Sequence, residues 1–174
     1  KELNDYSDNL VGKVTQELRF DSEIKAYAYN QLNQFIIDYH EYTKKRNSMG
    51  NDSLDKNKTP KLDIVGGWFV RQFENEYNPV HVHTQCTLSC VGYLKLPDGI
   101  DEEWEDDYKD HYPANGHINF IYGTDGAYTC SNFLIKPKVG DFYIFPSYLF
   151  HGVYPFYTQG ERRSFSMNMI FTME

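Results

Sequence analysis

Three cysteines, Cys86, Cys90 and Cys130, are all that this chain of 174 residues contains. An odd number without framework spacing excludes a disulfide scaffold. Cys86 and Cys90 have no second pair to complete a structural zinc site, so the three read as reduced thiols. Basic charge is also short: 17 Lys+Arg stand against 25 Asp+Glu, a net charge of −8. That argues against non-specific binding to nucleic acid or to an anionic membrane, which needs a basic face. No apolar run approaches the roughly 20 residues of a membrane-spanning helix, and no signal peptide is visible. A cytoplasmic protein with no nucleic-acid or membrane partner is expected.

What the chain does have is aromatic residues, 15 Tyr and 12 Phe, which suit strands and aromatic-lined pockets. Its length supports one core and makes two implausible. We expect a single domain over 1–174, with 1–60 a helical N-terminal support and loop and 61–174 the core. Between Asp21 and Lys45 the residues Ile24, Ala28, Leu32, Phe35, Ile36 and Tyr39 recur at spacings of three and four. That spacing predicts a helix with one buried face, N-capped by Asp21 or Ser22. Residues 46–60 read as a solvated loop. Beyond Pro60, short aromatic and β-branched runs are broken by Gly, Pro, Asn and Asp. They predict strands near 64–73, 80–84, 88–96, 118–122, 127–135, 141–145, 152–154 and 162–171, a sandwich or barrel.

One insertion, 97–115, carries eight carboxylates in nineteen residues. It reads as a solvated loop or as a lid over a pocket mouth. Two strands are two-sided. In 87–96 Leu88, Cys90, Leu94 and Leu96 oppose Thr87, Ser89 and Tyr93. In 162–171 Arg162, Ser164, Ser166 and Asn168 oppose Phe165, Met167, Met169 and Phe171. Polar faces turned inward would line a cavity, with the helix covering the greasy side. Histidines favour that reading. His81 and His83 are one residue apart, so in a strand both rings point one way. His151 closes the run that starts at Gly140, and Arg162 follows eleven residues later. Three neutral nitrogen donors hold a metal such as Fe, Zn, Cu or Ni, and a guanidinium fork suits an anionic co-substrate. His40, His111 and His117 lack such company, and Asp141 reads as a turn residue. Arg163 shares parity with Phe165 and should reach the surface.

Three blocks carry a family likeness. They are His-Val-His followed by Ser89-Cys90-Val91-Gly92-Tyr93-Leu94, then Gly140-Asp141-Phe142-Tyr143-Ile144-Phe145-Pro146-Ser147 leading to His151, then Arg162-Arg163-Ser164-Phe165-Ser166-Met167-Asn168. Over about 64–171 the chain resembles the Fe(II)/2-oxoglutarate-dependent oxygenases, and most of all their compact prolyl-hydroxylase-like branch of bacterial and phage type. The resemblance implies a mainly β double-stranded β-helix, the jelly-roll or cupin-like fold, with the N-terminal helix packed outside. It implies Fe(II) held by His81 and His151, and 2-oxoglutarate anchored by Arg162 with Ser164, in an R-x-S pattern. Tyr93 is an extra donor to the co-substrate or a core tyrosine. The family's third ligand is usually a carboxylate two residues after the first histidine. Here His83 stands in that position, leaving three imidazoles and a metal charge for the co-substrate dianion to balance.

The expected activity is O₂-dependent hydroxylation of a C–H bond in a peptide or small molecule, with release of succinate and CO₂. Trp68, Phe69, Tyr77 and Trp104 either line a peptide groove or pack internally. Two other readings stand beside it: a three-histidine cupin-type metalloenzyme that does not use 2-oxoglutarate, and a non-catalytic jelly-roll binding module.

Overall fold

The computed structural model describes residues 2–47, 60–105 and 113–173. The expected loop beyond Asn47 and the acidic stretch 106–112 lie outside the described residues. A 3-10 turn (Ser7–Asn9) leads to β1 (Gln16–Arg19) and α1 (Ser22–Asn47). Strands β2 (Pro60–Gln72), β3 (Asn78–His81) and β4 (Leu88–Lys95) follow, then a short α2 (Ile100–Glu105). Strands β5 (Ile118–Ile121), β6 (Asn132–Ile135), β7 (Phe142–Pro146), β8 (Phe150–Val153) and β9 (Arg162–Met173) complete the chain. They pair antiparallel into one sheet of order β1-β2-β9-β4-β7 and another of order β3-β8-β5-β6. Two mixed-order sheets of this kind, with neighbours distant in sequence, make the double-stranded β-helix.

Helix α1 begins where its cap dictates. Asp21 Oδ1 accepts the Ile24 amide at 2.9 Å, satisfying one of the orphan donors of the first turn. Its buried face carries Ala28 and Ile36, with Ile24, Leu32 and Tyr39 alongside, and lies on Leu62, Ile64, Leu88, Cys90, Met167 and Met169. The helix therefore covers the greasy outer side of the larger sheet. Phe35 departs from the expected face: it is 64% exposed, while the neighbouring Ile36 is wholly buried. A step of 100° per residue separates adjacent positions, and only one of the pair can point down. Ile36→Ala should cost about 2–5 kcal/mol of stability, and Phe35→Ala less than about 0.5 kcal/mol, read by urea unfolding.

A smaller apolar cluster (Ile118, Phe120, Phe145) fills part of the space between the sheets. On the outer face of the larger sheet, close packing depends on Gly92. A Cβ at that position would overlap the Phe165 ring across the β4–β9 pair. Parity on β9 is as expected, with Met167 and Met169 in the outer core and Arg162, Ser164, Ser166 and Asn168 on the cavity wall. On β4 the register shifts between Tyr93 and Lys95, and Leu94, expected on the covered greasy side, keeps that outer face beside Phe69 and Arg163 but is 46% exposed.

The strand expected over 127–135 is shorter, Asn132–Ile135. Strand β1 and the helical turn α2 are additions. Within the acidic insertion Ile100 is buried. Glu103 accepts the amides of Tyr157 and Thr158 at 3.0 and 2.7 Å, which ties α2 to the β8–β9 connection. Among the described residues, no helix is long and apolar enough to cross a membrane.

Candidate metal and co-substrate site

His81 and His151 face each other as register partners of β3 and β8. Strand β3 ends at His81, so His83 is not on a strand as expected. It is placed instead by its backbone, whose amide donates to Ser147 O at 2.9 Å. Ser147 Oγ donates in turn to Cys86 O at 2.7 Å. The three imidazoles converge all the same: one ring nitrogen from each lies within 4.8 Å of the others, and among the described residues no carboxylate joins the group. His83 and His151 are stacked 7° from parallel, with Nε2 atoms 3.2 Å apart.

The donor set fits a metal cation. Nδ1 of His81 lies 2.7 Å from Pro79 O, and Nδ1 of His151 lies 2.9 Å from Leu149 O. Nδ1–H donates to each carbonyl and leaves the Nε2 lone pair free, the usual outer-partner arrangement for a metal-ligating histidine. Two nitrogens bound side by side on one ion at about 2.1 Å each would lie about 3 Å apart, close to the His83–His151 separation. Burial, together with the neighbouring imidazoles, pushes the His83 pKa down to about 3. Burial lowers His151 to about 4 and lowers His81 as well. The rings are held neutral, the form a metal requires. Uptake of Mn(II) or Ni(II) by metal-free protein should therefore show no proton-competition midpoint near the free-imidazole value of about 6.5. A calorimetric titration across that range checks this; a midpoint there would mean the rings ionise as free histidines.

The histidines open on a cavity of about 530 Å³. Its walls also carry Tyr93, Arg162, Ser164 and Asn168. Arg162 is 3% exposed. Its Nη1 donates to Gly116 O at 2.9 Å and its Nη2 to Gln72 Oε1. Both acceptors are neutral, Nε has no partner, and among the described residues no carboxylate meets this cation. Tyr93 Oη is equally buried and unpartnered, its pKa pushed up to about 12 by burial, with Arg162 opposing. A buried charge left uncompensated costs several kcal/mol. A bound carboxylate would supply both the missing charge and the missing acceptor. These residues fit a small dianion.

Arg163 points the other way: its side chain is 44% exposed and pairs with Glu161 at 2.9 Å. Asp141 closes a turn, accepting the Lys138 amide at 2.9 Å and Tyr143 Oη at 2.7 Å. His40 stacks on Phe171 and His117 sits edge-on to Trp104; His111 lies outside the described residues. Of the four aromatics considered for a groove, Trp68 lines the cavity. Phe69 packs on the outer core, Tyr77 is 42% exposed and Trp104 bonds Asn115 O at 2.7 Å. They do not form one groove. Gln72, which holds Arg162, escaped the sequence reading although it continues the Trp68, Val70 parity of β2. Glu17 and Asn78, also on the wall, had no sequence signal.

A double-stranded β-helix with three convergent imidazoles and a buried arginine lining one cavity defines a jelly-roll protein with a candidate metal site. The chain belongs to the 2OG-Fe(II) oxygenase family, whose model matches residues 66–168, more than half of the sequence. Fe(II) and 2-oxoglutarate are the cofactors of that family, and O₂ and an oxidisable substrate its reactants. No curated protein matches the chain. Among solved structures it is similar to a Pseudomonas putida prolyl-4-hydroxylase, at 17% identity and a TM-score of 0.51 over 97% of this chain and 77% of that one. It is also similar to a Burkholderia pseudomallei oxidoreductase of the 2OG-Fe(II) oxygenase family, at 13% identity and a TM-score of 0.47 over 66% of this chain, and spans about half (47%) of that protein. A third is HygX of Streptomyces hygroscopicus with nickel and 2-oxoglutarate bound, at 11% identity and a TM-score of 0.43 over 88% of this chain and 81% of that one. At such identities the likeness is one of fold.

Proposed function

We propose that the chain is an Fe(II)- and 2-oxoglutarate-dependent dioxygenase that hydroxylates a C–H bond of a peptide or small molecule, releasing succinate and CO₂. The observation that carries this reading is that one cavity is lined both by three neutral imidazoles and by a buried guanidinium that meets no carboxylate among the described residues. In this reading His81, His83 and His151 hold the metal. Arg162 grips the distal carboxylate of 2-oxoglutarate, with Ser164 beside it and Tyr93 Oη donating. When bound, Fe(II) supplies the O₂ activation that couples oxidation of 2-oxoglutarate to oxygen insertion in the substrate. The protein's own part is orientation and exclusion of water from the cavity.

Residues 1–174 act as one unit in this proposal, with 1–60 as outer support. Three free thiols support a reducing, cytoplasmic setting. A prolyl peptide is the first substrate to try, given the likeness to the P. putida enzyme. The test is metal-dependent succinate formation from 2-oxoglutarate, with and without candidate substrates. Metal uptake without succinate would favour the three-histidine enzyme that does not use 2-oxoglutarate. Absence of any Fe(II), Mn(II) or Ni(II) uptake would favour a binding module.

A further inference from the structure

Strand β1 lies outside the family match, yet it puts a carboxylate into the cavity that holds the histidines. Glu17 pairs with Val70 of β2 and shares its inward face. Its amide donates to Ser7 Oγ at 2.9 Å, and its carbonyl accepts the Tyr6 amide at 2.7 Å, so the N-terminal segment ties down the edge of β1 away from β2. The residue is 2% exposed, and Oε2 has no hydrogen-bond partner. Across a small gap, Asn78 Oδ1 of β3 is also buried and unpartnered. Both oxygens surround the point a Cβ on Gly12 would take: such a Cβ would overlap Asn78 Oδ1 and lie 3.0 Å from Glu17 Oε2. Among the described residues, then, no donor meets either acceptor, and both line the cavity that holds the histidines. Buried acceptors left unmet are costly, and a carboxylate costs more.

We propose that Glu17 and Asn78 form the subsite for a cationic nitrogen of the primary substrate, an alkylammonium or guanidinium group such as a basic side chain carries. The inference deepens the dioxygenase reading and rests on it for the word substrate. A cation is favoured over a neutral N–H because one acceptor is a carboxylate that pairs with no cation among the described residues. Arg19, on the same face of β1, turns its guanidinium over the Tyr6 ring at 5.1 Å and is exposed. Asp5, also nearby, has the same sign as Glu17. Burial, with Asp5 adding to it, raises the Glu17 pKa to about 7, as expected for a carboxyl that lacks its partner. The net charge of −8 also favours the arrival of a cation.

The test is calorimetric binding to protein loaded with Mn(II) and N-oxalylglycine. The probes are N-acetyl-lysine methylamide, N-acetyl-arginine methylamide, and the norleucine and glutamine analogues. We expect the lysine or arginine probe to bind at least tenfold more tightly than norleucine. Glu17→Gln should abolish that preference while the protein stays folded by thermal melting. Gly12→Ala should do the same, because its methyl fills the gap. Equal binding of norleucine, equal binding of glutamine, no binding of either basic probe, or a preference that survives Glu17→Gln would each overturn the assignment. Repeating the titration on metal-free protein separates the two readings. A lysine preference in a protein that takes up no Mn(II) sinks the oxygenase and leaves the cation subsite; Mn(II) uptake without preference sinks the subsite alone.

Discussion

Alanine at His151 should abolish metal uptake and, with it, any succinate formation. His151 is 5% exposed and packed edge-on to Phe145 at 4.6 Å, so its ring has one direction to point. Even changes to the outer partners of metal-ligating histidines cost 10–100-fold in affinity. Loss of one of three donors should therefore exceed about 100-fold, and His81→Ala should match it. His117→Ala is the control: its Nδ1 meets Asn115 O at 2.8 Å, it is absent from the three-imidazole group, and uptake should be unchanged. Calorimetry with Mn(II), alongside unfolding curves to exclude global collapse, reads the difference. Full uptake by folded His151→Ala would mean that the metal lies elsewhere.

Arg162→Ala should raise the 2-oxoglutarate concentration needed for half-maximal turnover by about 10- to 150-fold, since a charge-assisted hydrogen bond is worth about 1.5–3 kcal/mol. The same change strips Gln72 Oε1 and Gly116 O of their donor, so stability should also fall by about 1–3 kcal/mol. Turnover must be compared below the new melting range. Arg162→Lys should recover only part of the affinity, because an ammonium cannot reproduce the planar fork. Arg163→Ala, which removes an exposed partner of Glu161, should move the requirement less than about twofold. A large effect at Arg163 with none at Arg162 would reverse the assignment.

How much of this was legible beforehand varies by element. The two-sided pattern of β9 was readable because a strand buried on both faces still separates greasy from polar by parity, and Arg162 and Arg163 fell on opposite sides accordingly. The helix was readable from its spacing, though not the outward turn of Phe35, since adjacent apolar residues leave the exact face open. Strand β1 was invisible: Gln-Glu-Leu-Arg has one apolar residue and no run long enough to show a period. It is a strand because β2 offers it an edge. That Leu94 would lie uncovered on its greasy face had no local signal either, since what covers a strand face comes from segments distant in the chain.

By itself the sequence determined the chemistry available: three histidines spaced for convergence, an arginine in phase with a polar face, and no cysteine framework or basic surface to suggest other work. Only the tertiary structure decided that His83 reaches the cluster from beyond the strand end, that Arg162 is held by neutral acceptors, and that Glu17 and Asn78 meet across Gly12. Each of these depends on contacts between segments far apart in the chain. Periodicity records which way a residue faces along its own element, and it carries no information about what that face will meet.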